Sequence, residues 1–293
     1  MGYHPWSCLG RGGGLEPAPT PQTAADEERQ FAEQGFFIRR NCLDAAECER
    51  AIAASYRAIE AGKYVGKEYP APGKITIARN HWDDPDLAFI AGHPAVLEAI
   101  SPLLGGEARL QAFVSYLRTP EPIAWEVEGD EALAAQRSHH DGAGASSPVG
   151  HAGKHCDYKR WRPVGSSMEW LFVIIPLTDF DTTRPLLIAP GSHLLREVVD
   201  TSEAHGVLDA SPPNSQDPIL QGAFLDPQLR TGDLLVMHSC CWHQAPPNYS
   251  GQDRLGIFNK YSSARAPPPC GPFPFNDAVY NVLEPEVTII CLE

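Results

Sequence analysis

The segment Lys154-His155-Cys156-Asp157-Tyr158 holds an imidazole and a carboxylate two positions apart. Side chains alternate along an extended strand, so a histidine and an aspartate at this spacing share one face. One nitrogen and one oxygen ligand from adjacent same-face positions suit a first-row metal, above all Fe(II). One more histidine from elsewhere completes a facial triad with open positions. An H-x-D alone is cheap and equally describes a surface loop. A competing pair, His139-His140-Asp141, stands upstream.

The second histidine has four candidates downstream: His193, His205, His238 and His243. His193 follows Pro190-Gly191-Ser192, a turn, and reads as a loop histidine. His205 lies among polar residues. His238 ends an expected strand, and His243 follows just beyond it in Cys241-Trp242-His243-Gln244. Arg254 discriminates among them. It opens the strand Arg254 to Tyr261, and a Pro-Asn-Tyr-Ser-Gly turn between two antiparallel strands would bring it close to His243. A buried arginine beside a metal is a carboxylate clamp, because its planar fork binds a carboxylate through two parallel hydrogen bonds.

The elements that must carry these residues follow from the patterning. A helix is expected from Thr23, stopped by Gly35, and then a short strand at Phe36 to Ile38. Asp44 is a good N-cap for a helix over Ala45 to Ala61. A polar loop spans Val65 to Gly73, a strand Lys74 to Ala78, a helix His93 to Leu104, and a strand Leu110 to Leu117. Trp170 to Leu177 is the most apolar segment and reads as a buried strand. Leu186 to Ala189, Asp233 to His238 and Arg254 to Tyr261 are further strands, and Val287 to Leu292 is a last apolar run. Helices thus cluster early and short strands late. Helices leaning on an antiparallel double sheet, a jelly-roll, is the layer arrangement that fits. Residues 1–22, rich in Gly and Pro, are expected to be a loosely attached tail, and residues 23–293 one domain with an inserted loop over 119–153.

With 293 residues and 43% hydrophobic content, a sizeable core is available. A formal net charge of −14 argues against nucleic acid or an anionic membrane as partner. The eight cysteines form no C-x-x-C pair and read as thiols of a reducing compartment. No apolar run approaches the roughly 18 residues of a spanning helix, and no signal peptide is evident. A cytoplasmic protein is expected; oligomeric state is not legible.

The order His155-x-Asp157, Pro190-Gly191-Ser192-His193, Gly232-Asp233, His243, Arg254 resembles the phytanoyl-CoA dioxygenase family of iron(II)/2-oxoglutarate oxygenases. So does the opening Phe31-Ala-Glu-Gln-Gly-Phe-Phe-Ile, with Leu43-Asp-Ala-Ala-Glu-Cys-Glu after it; the likeness runs from about Phe31 to Tyr261. It implies a double-stranded β-helix core flanked by helices. It also implies His155, Asp157 and His243 as iron ligands and Arg254 as the clamp for the distal carboxylate of 2-oxoglutarate, with O2 as oxidant. The distance to Pro190 favours His155/Asp157 over His139-His140-Asp141. Tyr116 and Trp170 are expected in the co-substrate wall, with Arg118, Lys159, Arg160, Arg162, Ser166 and Ser167 as weaker pocket candidates. An aspartate at 157, where related carrier-protein halogenases have a small residue, points to hydroxylation of a small organic substrate. Two departures stand out. Arg184-Pro185 replaces a frequent Asn-Gly, and Leu255-Gly256 leaves no serine two residues past the arginine. A cupin-type metal protein without 2-oxoglutarate and a non-catalytic binding protein are the alternatives.

Overall fold

The computed structural model describes residues 20–66, 68–77, 84–121, 152–155, 170–180, 185–195 and 224–264. The expectations for the tail, most of the inserted loop, Asp157, the 159–167 candidates, His205 and the last apolar run fall outside them.

The chain enters through α1 (Ala24–Gln34). Thr23 caps it by accepting from the Asp26 N–H, and Gly35 ends it at φ 85°, in the left-handed region that glycine adopts without cost. Strand β1 (Phe36–Arg39) follows, then α2 (Ala45–Glu60). Asp44 and Glu47 form a reciprocal capping box at its start. Next come β2 (Tyr64–Gly66), β3 (Lys74–Ile77), the short α3 (Pro85–Ala88) and α4 (Pro94–Leu104). The remaining strands are β4 (Ala108–Ala112), β5 (Ser115–Arg118), β6 (Ala152–His155), β7 (Trp170–Pro176), β8 (Leu187–Ile188), β9 (Leu234–His238), β10 (His243–Ala245) and β11 (Arg254–Ser263).

Eight strands form the large sheet, in the order β1-β9-β7-β11-β5-β3-β2, with β4 also on β11; β6-β10-β8 form a small one. Every recorded pairing is antiparallel. This is the expected jelly-roll core with helices on one side.

Period-two alternation divides the large sheet's faces. Phe37, Ile75, Leu117, Val173, Val236, Leu255 and Ile257 pack with α2 and α4 residues such as Ala51, Val96 and Ile100 in one hydrophobic core. Phe36, Ile38, Phe172, Ile174, Leu235 and Met237 turn the other way, toward Leu186 and Ile188 beside the small sheet. The stretch Pro85–Leu104 is long and apolar enough by composition to cross a membrane. Its side chains Leu87, Val96, Leu97 and Ile100 belong to the helix-side core, so it is a core segment.

The sequence expectation of one strand over Leu110 to Leu117 is corrected to two. β4 and β5 part at Phe113-Val114, where the Phe258 N–H donates to the Val114 carbonyl at 2.7 Å. The split accompanies a register slip between Lys260 and Tyr261 on β11, which both strands pair. Two strands, β2 and β10, were not expected. At three residues each they are too short to show a period.

Candidate active site

Arg254, Phe258 and Lys260 lie at alternate positions of β11, on the face away from the helices, and line a cavity of about 100 Å³ between the two sheets. Lys74 of β3, Tyr116 and Arg118 of β5 and Phe172 of β7 join them from the large sheet. His243 and Ala245 of β10, with Leu186, close it from the small sheet. The expectation that His243 and Arg254 come together therefore matches the geometry, and Tyr116 lies with them.

His243 is 4% exposed. Its Nδ1 lies 3.1 Å from the Cys241 carbonyl oxygen, an atom that can only accept. Nδ1 therefore carries the proton, and Nε2 keeps the lone pair that a metal needs. The ring is further packed against Phe172 in a tilted arrangement, with centroids 6.1 Å apart and planes at 35°.

The Pro190-Gly191-Ser192-His193 motif explains how that histidine is aimed. The Ser192 hydroxyl donates to the Ala189 carbonyl at 2.6 Å and accepts from the Trp242 N–H at 2.8 Å. The Ala189 N–H returns a bond to the Trp242 carbonyl at 2.9 Å. The residue before His243 is thus tied on both its backbone groups. His193 itself is corrected from loop histidine to buried residue: its Nε2–H donates to the Ala32 carbonyl of α1 at 3.0 Å. His238 lies beside it, ring centroids 5.3 Å apart and planes tilted at 48°, and accepts from the Cys240 N–H through Nδ1. Both serve the α1 contact, and neither lines the cavity. Gly232-Asp233 is structural too. Asp233 accepts from Arg40 at 2.6 Å and from the Asn41 N–H at 3.1 Å. A Cβ on Gly232 would meet the Leu43 carbonyl oxygen at 2.6 Å.

His155 is the last residue of β6, and its register partner is His243. Directly opposed residues of an antiparallel pair stand on the same face of the sheet. Asp157, two residues on, lies outside the described residues, as does the rival His139-His140-Asp141. Trp170 opens β7 opposite Ser262.

Arg254 is 6% exposed and anchored. One guanidinium nitrogen donates to the Pro185 carbonyl at 2.5 Å, and the group lies 5.3 Å from the Phe180 ring centroid. Both departures from the family pattern thus have a use. Pro185 supplies the anchoring carbonyl. Gly256 leaves room for Phe180, whose ring tip a Cβ there would meet at 2.8 Å. The turn joining β10 to β11 is fastened by Asn248, whose amide donates to the Arg118 and Gln252 carbonyls at 2.9 and 2.6 Å. Arg118 makes a buried ion pair with Glu121 at 3.3 Å. Burial pulls the Arg118 pKa down, and the Glu121 charge opposes that pull.

Sequence reasoning missed Lys74, Phe172, Phe258 and Lys260. A lysine on an alternating strand ordinarily marks the solvent side, so only the sheet pairing exposes its place here.

The arrangement offers one imidazole with a fixed tautomer, a register partner that is also histidine, and an anchored guanidinium across a small cavity. That donor set fits a first-row metal bound beside a carboxylate co-substrate.

No curated protein matches the chain. Among solved structures, the non-heme alpha-ketoglutarate-dependent carbocyclase SnoK from nogalamycin biosynthesis is 20% identical, with 94% of this chain and 97% of that chain covered and a TM-score of 0.61. The epimerase SnoN, solved with Fe3+, alpha-ketoglutarate and nogalamycin RO, is 18% identical over 83% and 84%, with a TM-score of 0.60. HygX from Streptomyces hygroscopicus, solved with nickel, 2-oxoglutarate and hygromycin B, is 15% identical over 82% and 87%, with a TM-score of 0.52. At these identities the likeness is one of fold. The phytanoyl-CoA dioxygenase family model matches residues 31–256. The chain therefore belongs to the phytanoyl-CoA dioxygenase family and is a non-heme iron- and 2-oxoglutarate-dependent oxygenase.

Proposed function

We propose that His155, Asp157 and His243 hold the iron, that Arg254 receives the distal carboxylate of 2-oxoglutarate, and that the enzyme hydroxylates a C–H bond of a small organic substrate. The observation that carries this reading is the His155–His243 register pair, set in the sheet that faces Arg254 across one cavity.

Bound iron, with 2-oxoglutarate and O2, supplies the oxidising power, coupling decarboxylation to succinate and CO2 with attack on the substrate C–H bond. The chain's own residues do the rest. His243 presents Nε2 because Cys241 holds the Nδ1 proton. Asp157 completes the ligand set as an anionic oxygen donor. Arg254 meets a carboxylate with a fork already oriented by Pro185 and Phe180, so little rotamer freedom is lost on binding. Tyr116 walls the co-substrate, and its hydroxyl stands in for the serine that Gly256 replaces; Trp170, paired with Ser262 eight residues along β11 from Arg254, is not carried into this wall. Phe172 and Phe258 keep water from the reacting carbon.

SnoN and HygX were solved with the small molecules nogalamycin RO and hygromycin B. We carry over that class, an elaborated small organic molecule, as substrate. We also keep residues 23–293 as one domain with 119–153 inserted, and we place the protein in the cytoplasm. Cys42, Cys48, Cys240 and Cys241 stand as thiols, in keeping with that compartment.

A screen for succinate release across substrate classes, followed by product mass, tests the reaction. Gain of one oxygen atom is the expected result. Loss of two hydrogens means desaturation or ring closure instead and overturns hydroxylation. An absence of 2-oxoglutarate consumption under every condition overturns the reading itself.

A further inference from the structure

Arg254 is the first residue of β11, and chain ends of ordered elements open most readily. On one side it pairs with Arg118 of β5, but the ladder to β7 begins only at Gly256. Beyond that point one hydroxyl takes the ladder's place. The Thr178 Oγ1 donates to the Asp253 carbonyl at 3.2 Å and accepts from the Leu255 N–H at 2.9 Å. The residues before and after Arg254 are thus tied to a single atom.

The Asp253 side chain is held from the other face of the sheet. Positions 253, 255 and 257 alternate with Arg254, so they turn toward the helices while the guanidinium turns toward the cavity. There the Asp253 carboxylate accepts from the Tyr56 hydroxyl of α2 at 2.7 Å and from the Tyr69 hydroxyl of the loop between β2 and β3 at 3.2 Å. The two tyrosine rings meet edge to face, with centroids 6.2 Å apart, and pack against the helix-side core. Hydrogen bonds to an ionised carboxylate are about twice as strong as neutral ones. Burial, and then the bond to Asp253, hold the Tyr56 proton above the usual phenol range, so the hydroxyl stays a donor.

The loop that brings Tyr69 is pinned in turn to β5. Thr119, next to Arg118, accepts from the Gly73 N–H at 2.9 Å and donates to the Ala71 carbonyl at 2.9 Å. One loop therefore grips both the residue before Arg254 and the residue after its register partner Arg118. Asp253, Tyr56 and Tyr69 lie outside the cavity lining, so they reach a bound molecule only through Arg254.

Resting on the assignment of Arg254 as the 2-oxoglutarate clamp, we infer that Asp253, gripped by Tyr56 and Tyr69, is a positioning residue for the co-substrate. It fixes where β11 begins and with it where the guanidinium stands. It acts on 2-oxoglutarate affinity and leaves iron affinity alone, because His243 is aimed separately through Ser192 and Trp242.

The test removes the two hydroxyls and keeps the rings. In the Tyr56→Phe, Tyr69→Phe double variant, anaerobic titration with 2-oxoglutarate in the presence of Fe(II) should reach its visible-band midpoint at about tenfold higher concentration, as for the loss of partners that hold a ligating group. The calorimetric midpoint for Fe(II) alone should match the wild type. Asp253→Ala should show the same split, and Asp253→Asn, which keeps an acceptor oxygen for the hydroxyls, should recover most of the loss. In the metal-free protein, exchange of the Leu255 amide should quicken in the double variant. Ile257→Ala serves as the control for general destabilisation and should keep the wild-type 2-oxoglutarate midpoint. An unchanged 2-oxoglutarate midpoint in the double variant overturns the proposal. So does an Fe(II) affinity that falls as far as the 2-oxoglutarate affinity, an Asp253→Asn protein as impaired as Asp253→Ala, or unchanged amide exchange. A wild type without a saturable band means instead that the co-substrate reading has failed, and this role for Asp253 falls with it.

Discussion

The two faces of the central strand β11 are built from one stretch of chain yet behave as different materials. Leu255, Ile257 and Tyr261 turn toward the helices and are fully buried. Arg254, Phe258 and Lys260 turn toward the small sheet and line the cavity. Even the polar group on the helix side is used for structure, the Tyr261 hydroxyl donating to the Ala91 carbonyl at 2.8 Å. The difference teaches that alternation lets a strand hold a packed core with one set of side chains and present charge with the other. Substitutions one residue apart should therefore fail in different ways.

The largest expected effects break that pairing of faces most sharply. His243→Ala should reduce succinate formation at least about a thousandfold, roughly 4 kcal/mol, while the melting temperature stays near that of the wild type. Ile257→Ala should do the reverse. It loses about 2–4 kcal/mol of stability in denaturant titrations, and the molecules that remain folded keep their 2-oxoglutarate affinity. A large activity loss in a fully folded Ile257→Ala enzyme would show that the faces are not separable.

Within the cavity face, Arg254→Ala should weaken 2-oxoglutarate binding by about 2–4 kcal/mol, some thirtyfold to a thousandfold, read as a raised KM for 2-oxoglutarate. Smaller again is Ser192→Ala, which touches neither ligand nor co-substrate. It removes the acceptor for the Trp242 N–H and the donor to Ala189, at about 1–3 kcal/mol of stability. Because that bond aims His243, iron affinity should also fall about tenfold, as for the loss of an outer-shell partner. An unchanged iron affinity would make the serine purely structural.

The gentlest probe is alkaline pH. Burial pushes the Cys241 thiol up to about 12 from an ordinary 9.0, and burial likewise raises Tyr261 on the helix face. A group held above its unfolded value binds its proton more tightly when folded. Its contribution is thus complete below about pH 9 and is lost as pH rises toward 12. Stability measured from pH 8 to 11 should fall on the alkaline side, with Cys241 resistant to alkylation until the fold opens.

Much of this layout is legible in the sequence. Thr23 and Gly35 bracket α1, Asp44 caps α2, and the runs at 170–177 and 254–261 are strands, because caps and long apolar periods are local signals. His243 and Arg254 were paired by the turn between them. Lys74 and Lys260 were not legible, since their place depends on which strands lie alongside, and pairing across the chain leaves no local trace. His193 misled for the same reason: a turn motif suggested an exposed residue, but α1 packs over it. The value of Ser192 lies in bonds to residues about fifty positions away.

The central claim is that the cavity face binds iron and 2-oxoglutarate through His243 and Arg254. Anaerobic titration of Fe(II) and 2-oxoglutarate, followed in the visible, tests it most directly. The wild type should develop a weak charge-transfer band that saturates. Arg254→Ala should need far more 2-oxoglutarate to reach it, and His243→Ala should not form it. A band of wild-type strength and midpoint in either variant would contradict the account.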